Sequence, residues 1–504
     1  MPPNDDHDPR SGRTDRSSAP PSRRDFLRNL GKAAIGGAAL SAMASTAAEA
    51  AGTCDPPLGS IAKGTGSYAV PAAFNKVSYG LRTRKSVTKL NAAELARYQL
   101  AYEKLRALPA TDPRAWMSQA NVHCFYCSGA PSVQVHGSWK FFAWHRAYLH
   151  YHERILAKLV GDPTFALPYW DWATDRSIPV PYRDVKSSLY NAKRGAARND
   201  GTGKIGDDLV GPAVLGKVLD GVSTAGFVGD AGSGGNLEFG AHGGVHMWVN
   251  GEMGSLSTAA RDPIFYAHHN NIDRLWAVWL AKGGGRANPP DAAFLNTTWK
   301  FADENGAWCT IKAKDVLDPK GSLACTWNHD PGVPPEGYLV ASAPAGAPPG
   351  ADESVSLAAN AALPGKPHTY KSKLTSQNKK MLEDTQNHAY FLRIDGMEVP
   401  PNEGALLRVF VNQPDADHRT PVSHPSCVGY VAIVPKVPAG EGGHSHHADN
   451  VALRIPHEAR KHIARTEDMQ VTFVPVDAEG HKVDKVSFRH KRVHAVHHRR
   501  NKHA

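Results

Sequence analysis

The chain has few of the features that mark a membrane protein or a nucleic-acid-binding protein. Beyond the first 50 residues, no apolar run is long enough to span a bilayer, which excludes a spanning helix there. No recognisable nucleic-acid-binding motif occurs, and most of the net charge of +10 lies from Lys482 onward, which gives a nucleic-acid partner little support. A hydrophobic content of 41% and a charged content of 21% are ordinary for a soluble globular protein.

Cysteine is also scarce, with 6 residues among 504. Disulfide pairing cannot be read from sequence alone, so the pairing of Cys309, Cys325 and Cys427 stays open. Residues 308–311 and 323–327 resemble two short strands, across which Cys309 and Cys325 could face each other.

The first fifty residues predict an export signal. Arg23 and Arg24 form a twin-arginine signature, a weakly apolar stretch follows, and Ala48-Glu49-Ala50 is a small-residue cleavage site. The alternative is a disordered tail that leads into an amphipathic helix. We predict a twin-arginine signal peptide over residues 1–50 and a periplasmic or secreted protein without a membrane anchor.

The remainder predicts a helical region followed by a β-rich one. Within residues 51–330, apolar residues recur at helical spacing over 140–159 and over 263–280, where Asp262 reads as an N-cap. Residues 331–367 are rich in Pro, Ala and Gly and are predicted to be a linker. Short strand-like runs over 368–490 predict a β-sandwich, and the basic, His-rich residues 491–504 predict a disordered tail. The strand-like runs are 388–394, 406–411, 428–434 and 469–474.

A pair of histidines four residues apart indicates a metal site. His242 and His246 would share one face of a helix, so both imidazoles can reach one ion. Gly243 stands where a zinc hydrolase of the His-Glu-x-x-His class has its general-base glutamate, which argues against that class. The next predicted helix supplies a third histidine, either His268 or His269. Three neutral imidazoles with an open position suit copper or catalytic zinc.

A second set of histidines lies earlier in the chain. His136 and His145 are nine positions apart, aromatic residues precede His145, and His123 lies upstream. Glu153, two helical turns after His145, could orient a ligand or pack between helices. Helical bundles commonly build two-metal sites from inward-facing ligands of this kind. The histidines that we expect not to be ligands are His150, His152, His444, His446, His447 and those of the C-terminal tail.

Both sets resemble the copper signatures of the tyrosinase and polyphenol oxidase family. The first signature is matched by His136, Phe141, Phe142, Trp144, His145, Arg146, Leu149 and Glu153, and the second by Asp262, Pro263, Phe265, Tyr266, His269 and Asp273. The stretch 162–172 is similar to plant-type polyphenol oxidases. The resemblance implies a mainly α-helical catalytic domain, a four-helix bundle around a dinuclear type-3 copper centre, followed by a C-terminal β-sandwich domain.

The resemblance also assigns residue roles. One copper ion would be held by His123, His136 and His145, and the other by His242, His246 and His269, with His268 as a neighbour. Cys127 would form a thioether with His136, and Cys124 a disulfide with Cys54. The alternative for Cys127 is a buried free thiol.

Three further residues near the centre gain a role from the same resemblance. Glu238 matches a glutamate that orients a water near the coppers and assists phenol deprotonation; its alternative is a solvated loop carboxylate. Leu256 matches the gate position; its alternative is an ordinary core residue. Gly243 stands where strong phenol hydroxylases often have asparagine, which puts monophenol hydroxylation in doubt.

The implied activity is the O2-dependent oxidation of o-diphenols to o-quinones at two copper ions. Phenolic small molecules and O2 are the expected partners, and a copper chaperone is left open. The main alternative is a hemocyanin-like protein that binds O2 reversibly, and a zinc hydrolase is the other. The C-terminal domain is expected to cover the site and keep the enzyme latent, as in plant-type relatives, so that cleavage within 331–367 raises activity.

Overall fold

The computed structural model describes residues 80–128, 133–328, 351–384, 388–399, 404–436, 448–483 and 488–499. The predicted signal peptide, Cys54 and the histidines at 444, 446 and 447 lie outside the described residues. Within the described ranges, no helix combines the length and the apolar character that a bilayer-crossing segment needs.

The first part of the chain is mainly helical, in agreement with the prediction. Its α-helices are α1 (Ala92–Arg106), α2 (Trp116–Ser128), α3 (Lys140–Val160), α4 (Ala196–Asn199), α5 (Asp207–Val210), α6 (Pro212–Leu219), α7 (Thr224–Phe227), α8 (Gly243–Val249), α9 (Ile264–Ala281) and α10 (Ala292–Leu295). A π-helical turn, Glu238–His242, leads directly into α8. Short 3-10 turns lie at Val87–Lys89, Val180–Tyr182, Ala259–Arg261 and Ala313–Val316.

The strands concentrate in the second part of the chain. They are β1 (Arg82–Arg84), β2 (Gly229–Asp230), β3 (Ser233–Gly234), β4 (Thr298–Ala302), β5 (Trp308–Lys312), β6 (Cys325–Trp327), β7 (Ala351–Leu363), β8 (His368–Lys373), β9 (His388–Glu398), β10 (Ala405–Val411), β11 (Cys427–Ile433), β12 (Ala448–Arg454), β13 (Asp468–Val476) and β14 (Phe488–Arg499). Two helices accompany them, α11 (Ser376–Glu383) and α12 (His457–Ala464).

The two long helices of the first part follow from local sequence signals. The predicted helix over 140–159 is α3, and it ends at Gly161, whose φ of 67° suits only a residue without a Cβ. The predicted helix over 263–280 is α9. Its N-cap is Pro263 rather than Asp262, although the Asp262 carboxylate still accepts a hydrogen bond from Ile264 N at 3.1 Å.

The strands of the second part form two sheets around one hydrophobic core. One sheet has the order β11-β10-β13-β8, and the other has the order β2-β3-β12-β9-β14-β7. The four predicted strand-like runs correspond to β9, β10, β11 and β13. Apolar side chains of both sheets, such as Leu407 and Val493, share one buried cluster.

The six-stranded sheet joins the two parts of the chain. The hairpin β2–β3 precedes the turn that carries Glu238 and His242, and Gly234 of β3 pairs in parallel with Val451 of β12. Phe239, which lies between Glu238 and His242 in the turn, packs into the buried hydrophobic cluster that the two sheets share.

Two strands differ from the sequence prediction. β7 lies within the stretch predicted as a linker, and β14 lies where a disordered basic tail was expected. The two strands pair with each other along their length, and β14 also pairs with β9. Because β14 is an inner strand, His490, His494 and His497 are buried rather than exposed. His490 Nε2 contacts the Tyr370 hydroxyl at 2.8 Å, and His494 Nε2 lies 2.9 Å from the Asp395 carboxylate.

The expectation that Cys309 and Cys325 face each other is wrong. Cys309 lies on β5, which pairs with β4, whereas Cys325 lies on β6, which pairs in parallel with β1. Both cysteines are buried free thiols, as is Cys427. The two cysteine-bearing strands belong to two separate two-stranded sheets.

Candidate metal centre

The structure brings the predicted histidines together in two groups, which are buried except for the partly buried His136. His123, His136 and His145 lie with Cys127 in one group, and His242, His246, His268 and His269 form the other. Within each group the ligand atoms are no more than 4.8 Å apart. The groups face each other, since the rings of His145 and His269 stack with centroids 4.2 Å apart.

Backbone carbonyls orient four of these imidazoles. The Nδ1 atoms of His123, His145, His242 and His246 lie 2.9, 2.8, 3.0 and 2.8 Å from the carbonyl oxygens of Leu256, Phe141, Glu238 and Met253. A carbonyl can only accept, so each Nδ1 must carry the proton and each Nε2 must present a lone pair. The buried Nε2 atoms of His123, His145 and His242 have no partner within the protein. Such unpaired nitrogens fit metal ions.

A tryptophan distinguishes the two neighbouring histidines of the second group. Trp172 Nε1 donates to His268 Nδ1 at 3.1 Å, which occupies that lone pair. A neutral His268 therefore carries its proton on Nε2 and has no nitrogen left for a metal. His269 directs Nε2 to within 3.1 Å of His246 Nε2. This hydrogen-bond pattern favours His269 as the third ligand of its group.

Burial keeps the imidazoles neutral, as metal ligands must be. Desolvation lowers the pKa of His145 to about 3 and that of His246 to about 4. Burial likewise holds the pKa values of His123, His136, His242 and His269 well below the usual range, and neighbouring imidazoles lower them further.

We predict that the copper-free protein loses stability as the pH falls below neutral. The pKa values of these histidines are lower in the folded chain than in the unfolded chain. As the pH decreases, the unfolded chain therefore binds protons first, and the free energy of unfolding decreases as well. The loss begins near the unfolded pKa of about 6.5, and each group adds about 1.4 kcal/mol per pH unit until its folded pKa is reached. Urea unfolding over this range measures the effect. A free energy that stays constant from pH ~7 to pH ~5 would contradict it.

Cys127 and Glu238 lie beside the centre. Cys127 is a free thiol whose pKa burial raises well above its usual value, and its Sγ is within 4.8 Å of the ligand nitrogens of its group. His136 is the member of this group with no hydrogen bond at either ring nitrogen. The Glu238 carboxylate is buried rather than solvated, and it accepts a hydrogen bond from Gly137 N at 2.7 Å.

The space above the centre is small and is closed by the C-terminal part of the chain. A cavity of about 40 Å³ is lined by His136, Glu238, His242, Gly243 and Leu256 together with Ala432, Ile433, Val434 and Lys436. That volume corresponds to about a few water molecules. The segment with Leu256 and Ser257 is tied to this cover, since Leu256 N donates to Pro435 O at 2.7 Å and Ser257 N to Lys436 O at 3.0 Å.

Gly243 is in close contact with the same cover. A Cβ at this position would lie 2.9 Å from both Cβ and O of Ala432. An asparagine at position 243 would therefore not fit unless the cover moved.

A buried ion network holds the ligand-bearing helices together. Both oxygens of Glu153 on α3 are paired, one with Arg82 Nε at 3.0 Å and the other with Arg84 Nε at 2.9 Å. Asp273 on α9 pairs with Arg84 at 3.2 Å and with Arg146 at 2.6 Å. Burial alone would raise the pKa of Glu153, but the two arginines hold it below the usual value. Glu153 thus packs between elements and does not contact a ligand histidine.

Sequence reasoning missed the partners that orient and cover the centre. The carbonyls of Phe141, Met253 and Leu256 carry no side-chain signal, because every residue has one. The cover from Ala432 to Lys436 lies about 160 residues beyond the last ligand, so no local pattern could reveal it. His150 and His152, which were expected not to bind metal, belong to neither group. Cys124 is disulfide-bonded, and its predicted partner Cys54 lies outside the described residues.

Comparison with known proteins identifies the central region. Residues 113–213 and 216–282 match the model of the common central domain of tyrosinase. The chain is 36% identical over 298 residues to the latent form of a chloroplastic polyphenol oxidase of Prunus armeniaca, across 51% of this chain and 49% of that protein. It is 39% identical over 279 residues to a chloroplastic polyphenol oxidase of Vitis vinifera, across 47% and 46%. The chain thus spans about half the length of these curated relatives.

A solved structure extends the likeness over both parts of the chain. Latent apple tyrosinase superposes with a TM-score of 0.68 at 25% identity, covering 86% of this chain and 99% of that one. The six predicted copper ligands, from His123 to His269, all lie within the residues that match the tyrosinase domain model, 113–213 and 216–282. The second copper signature also ends within the second of these two segments. The central region of the chain, residues 113–213 and 216–282, is thus similar to the common central domain of tyrosinase.

Proposed function

We propose that the chain is a polyphenol oxidase that uses O2 to oxidise o-diphenols to o-quinones at two copper ions. The observation that carries the proposal is the pair of adjoining histidine groups, in which the Nε2 atoms of His123, His136, His145 and His242 have no hydrogen-bond partner within the protein. His123, His136 and His145 would hold one ion, and His242, His246 and His269 the other. When bound, the copper pair supplies the redox chemistry that reduces O2 and accepts electrons from the phenol.

The surrounding residues prepare the substrate. Phe141 and Phe265 pack against the ligand imidazoles and keep water away from them. Glu238, anchored by Gly137 N, is placed at the cavity to orient a water and to take a proton from a phenol hydroxyl. Leu256 acts as the gate of the same cavity.

Two covalent links are part of the proposal. Cys127 Sγ lies within 4.8 Å of a ring nitrogen of His136, and a thioether between the two residues would fix the one ring of the group that no hydrogen bond orients. Intact-mass and peptide mass spectrometry of the copper-loaded protein test this link. A loss of two hydrogens on a peptide joining Cys127 to His136 supports it, and two separate unmodified peptides would refute it. The same spectra test the disulfide between Cys54 and Cys124.

The central experiment measures copper content and O2 uptake with a monophenol and with the matching o-diphenol. Two copper ions per chain and quinone from the o-diphenol are the expected result. Slow or absent monophenol turnover would agree with Gly243, whereas a brisk rate without a lag would refute that argument. Reversible O2 binding without quinone formation would establish the oxygen-carrier alternative, and one zinc ion without copper would establish a hydrolase.

We also propose that the C-terminal β-sandwich keeps the enzyme latent by occupying the mouth of the cavity. Ile433 lines that cavity, so truncating it should widen the opening. We predict that Ile433→Ala raises the rate of o-diphenol oxidation by the uncut chain, measured as quinone absorbance. Ile455→Ala removes the same atoms from the core of the sheets, away from the mouth, and should not raise the rate. An equal response of both variants would contradict the cover.

We further propose that residues 1–50 direct export by the twin-arginine pathway to the periplasm or the medium. The proposal rests on the sequence signature alone, and the relatives named above are chloroplastic. Replacing Arg23 and Arg24 with lysine and following the protein between cell fractions tests it. Unchanged export of that variant would contradict the pathway.

A further inference from the structure

A row of redox-active aromatic side chains leads away from the copper ligands. The Trp144 ring lies 4.8 Å from that of His145 and 5.9 Å from that of His123. From Trp144 the row continues to Tyr148 at 5.0 Å, to Tyr266 at 5.6 Å and to Tyr102 at 6.2 Å, measured between ring centroids. All four side chains are buried with 1% exposure or less. Tyrosine and tryptophan are the side chains that can lose one electron most easily.

The row ends at a tyrosine that is paired with a base. The Tyr102 hydroxyl lies 3.1 Å from His152 Nε2, and the His152 ring stacks on Tyr266 with centroids 3.8 Å apart and an interplanar angle of 11°. Burial lowers the pKa of His152 to about 3, so its imidazole is neutral and able to accept a proton. His152 belongs to neither histidine group, and the proposed reaction at the copper pair has no role for it.

The other hydroxyl groups of the row have no such acceptor. Tyr148 donates to the carbonyl oxygen of Gln119 at 2.5 Å, and its oxygen lies 2.9 Å from that of Tyr266. Since Tyr148 has already committed its proton, Tyr266 must donate to Tyr148. Neither a carbonyl nor a phenol takes up a proton readily. Tyr102 is therefore the phenol of this row that can give up an electron and a proton together.

The structure also indicates why the oxidation would stop at Tyr102 and not continue to the neighbouring Trp116. Trp116 lies 5.7 Å from Tyr102 and is 7% exposed, which is more than any ring of the row. The guanidinium of Arg106 sits 4.5 Å from the centroid of the Trp116 ring. A positive charge at this distance disfavours a tryptophan radical cation but leaves a neutral tyrosyl radical unaffected. Trp116 can still pass an electron inward from a reductant in solution.

We propose that Trp144, Tyr148, Tyr266 and Tyr102 carry an oxidising equivalent from the copper centre to the Tyr102–His152 pair. The inference rests on the proposed function, because the oxidant is the copper pair after reaction with O2. One electron moves from Tyr102 along the row to the centre, and the hydroxyl proton moves to His152 Nε2. Tyr102 becomes a neutral radical, and His152 becomes an imidazolium. A reductant in solution, such as ascorbate, returns the electron through Trp116, and the proton goes back to Tyr102.

The row would protect the centre when no phenol is bound. An oxidised copper pair without substrate can attack its own ligands, and the row would move that oxidising power away from His123 and His145. Removal of the row should therefore increase the oxidation of the ligand histidines. Peptide mass spectrometry measures this oxidation independently of enzyme activity.

The test mixes the copper-loaded full chain with hydrogen peroxide in the absence of phenol and freezes the sample for electron paramagnetic resonance. A tyrosyl signal that changes when the tyrosines are ring-deuterated is expected. Tyr102→Phe should abolish it, because the ring stays but the proton and hydroxyl are gone. His152→Phe should also lower it, because stacking on Tyr266 remains but the base is lost. Tyr370→Phe is the matched control, since Tyr370 also bonds a histidine, His490, but lies outside the row.

The outcomes separate the relay from the proposed function. A full tyrosyl signal in Tyr102→Phe would overturn the relay, as would no signal in a wild-type protein that converts catechol to quinone. If catechol is not oxidised, the proposed function fails, and the relay is then tested on the copper-free protein with a photogenerated ruthenium(III) oxidant. There, a long-lived radical that Tyr102→Phe removes supports the relay, and an unchanged radical refutes it.

Discussion

Replacing His269 with glutamine will reduce the copper content from two ions per chain to one and abolish quinone formation. His269 faces His246 across the second group, and no donor occupies its nitrogens. Losing only a hydrogen-bonding partner of a metal ligand costs about 10–100-fold in affinity or activity, so losing the ligand itself should cost more. Metal analysis after dialysis, together with quinone absorbance from an o-diphenol, measures both effects.

The neighbouring His268 supplies the matched control. It is equally buried and adjacent in sequence, but Trp172 occupies its Nδ1. A glutamine at position 268 can accept the same hydrogen bond through its amide oxygen, so His268→Gln should retain two copper ions. If His268→Gln lost one ion and His269→Gln kept both, the ligand assignment would be reversed.

Neutralising Glu153 will lower the free energy of unfolding by about 3–5 kcal/mol, because breaking a buried ion pair leaves uncompensated charge. In Glu153→Gln, Arg82 and Arg84 would both lose their shared carboxylate partner, while Asp273 would still pair with Arg84. Leu167 N donates a hydrogen bond to the Glu153 carboxylate at 2.8 Å, and the amide oxygen of a glutamine would accept this bond more weakly. Chemical unfolding of the copper-free protein measures the loss.

An exposed pair provides the comparison for this variant. Glu458 lies 3.3 Å from Lys461 on α12, and its side chain is 73% exposed. Glu458→Gln should cost less than about 1 kcal/mol, because surface pairs are screened by water. A Glu153→Gln variant no less stable than Glu458→Gln would show that the network contributes nothing to folding.

The two histidine groups could be predicted from the sequence because the spacing of their members is largely local. His242 and His246 are one helical turn apart, and His145 and His269 each lie within a long helix whose apolar period is clear. The choice between His268 and His269 could not be derived in the same way. It depends on Trp172, about a hundred residues earlier in the chain, and a hydrogen bond between distant residues leaves no periodic signal.

The C-terminal part was predicted less completely for a related reason. β7 is rich in alanine and polar residues, and β14 is rich in histidine and arginine, so neither has the composition typical of a strand. Each is stabilised by pairing with the other and, for β14, with β9. Such long-range pairing overrides local propensity and is not visible in a short window of sequence.

If cleavage activates the chain as proposed above, the shared six-stranded sheet divides that activation into two separate events. A protease that cuts between residues 328 and 351 would sever the covalent connection, yet β12 would remain paired with β3, and Phe239 would stay in the core of the sheets. The cut fragment would persist as a noncovalent subunit that still occupies the entrance. Departure of that subunit, with its own rate and its own dependence on denaturant, would then set the onset of activity. Between the two events we expect a nicked but inactive population. Its two fragments would separate in denaturing gel electrophoresis but would elute together in gel filtration.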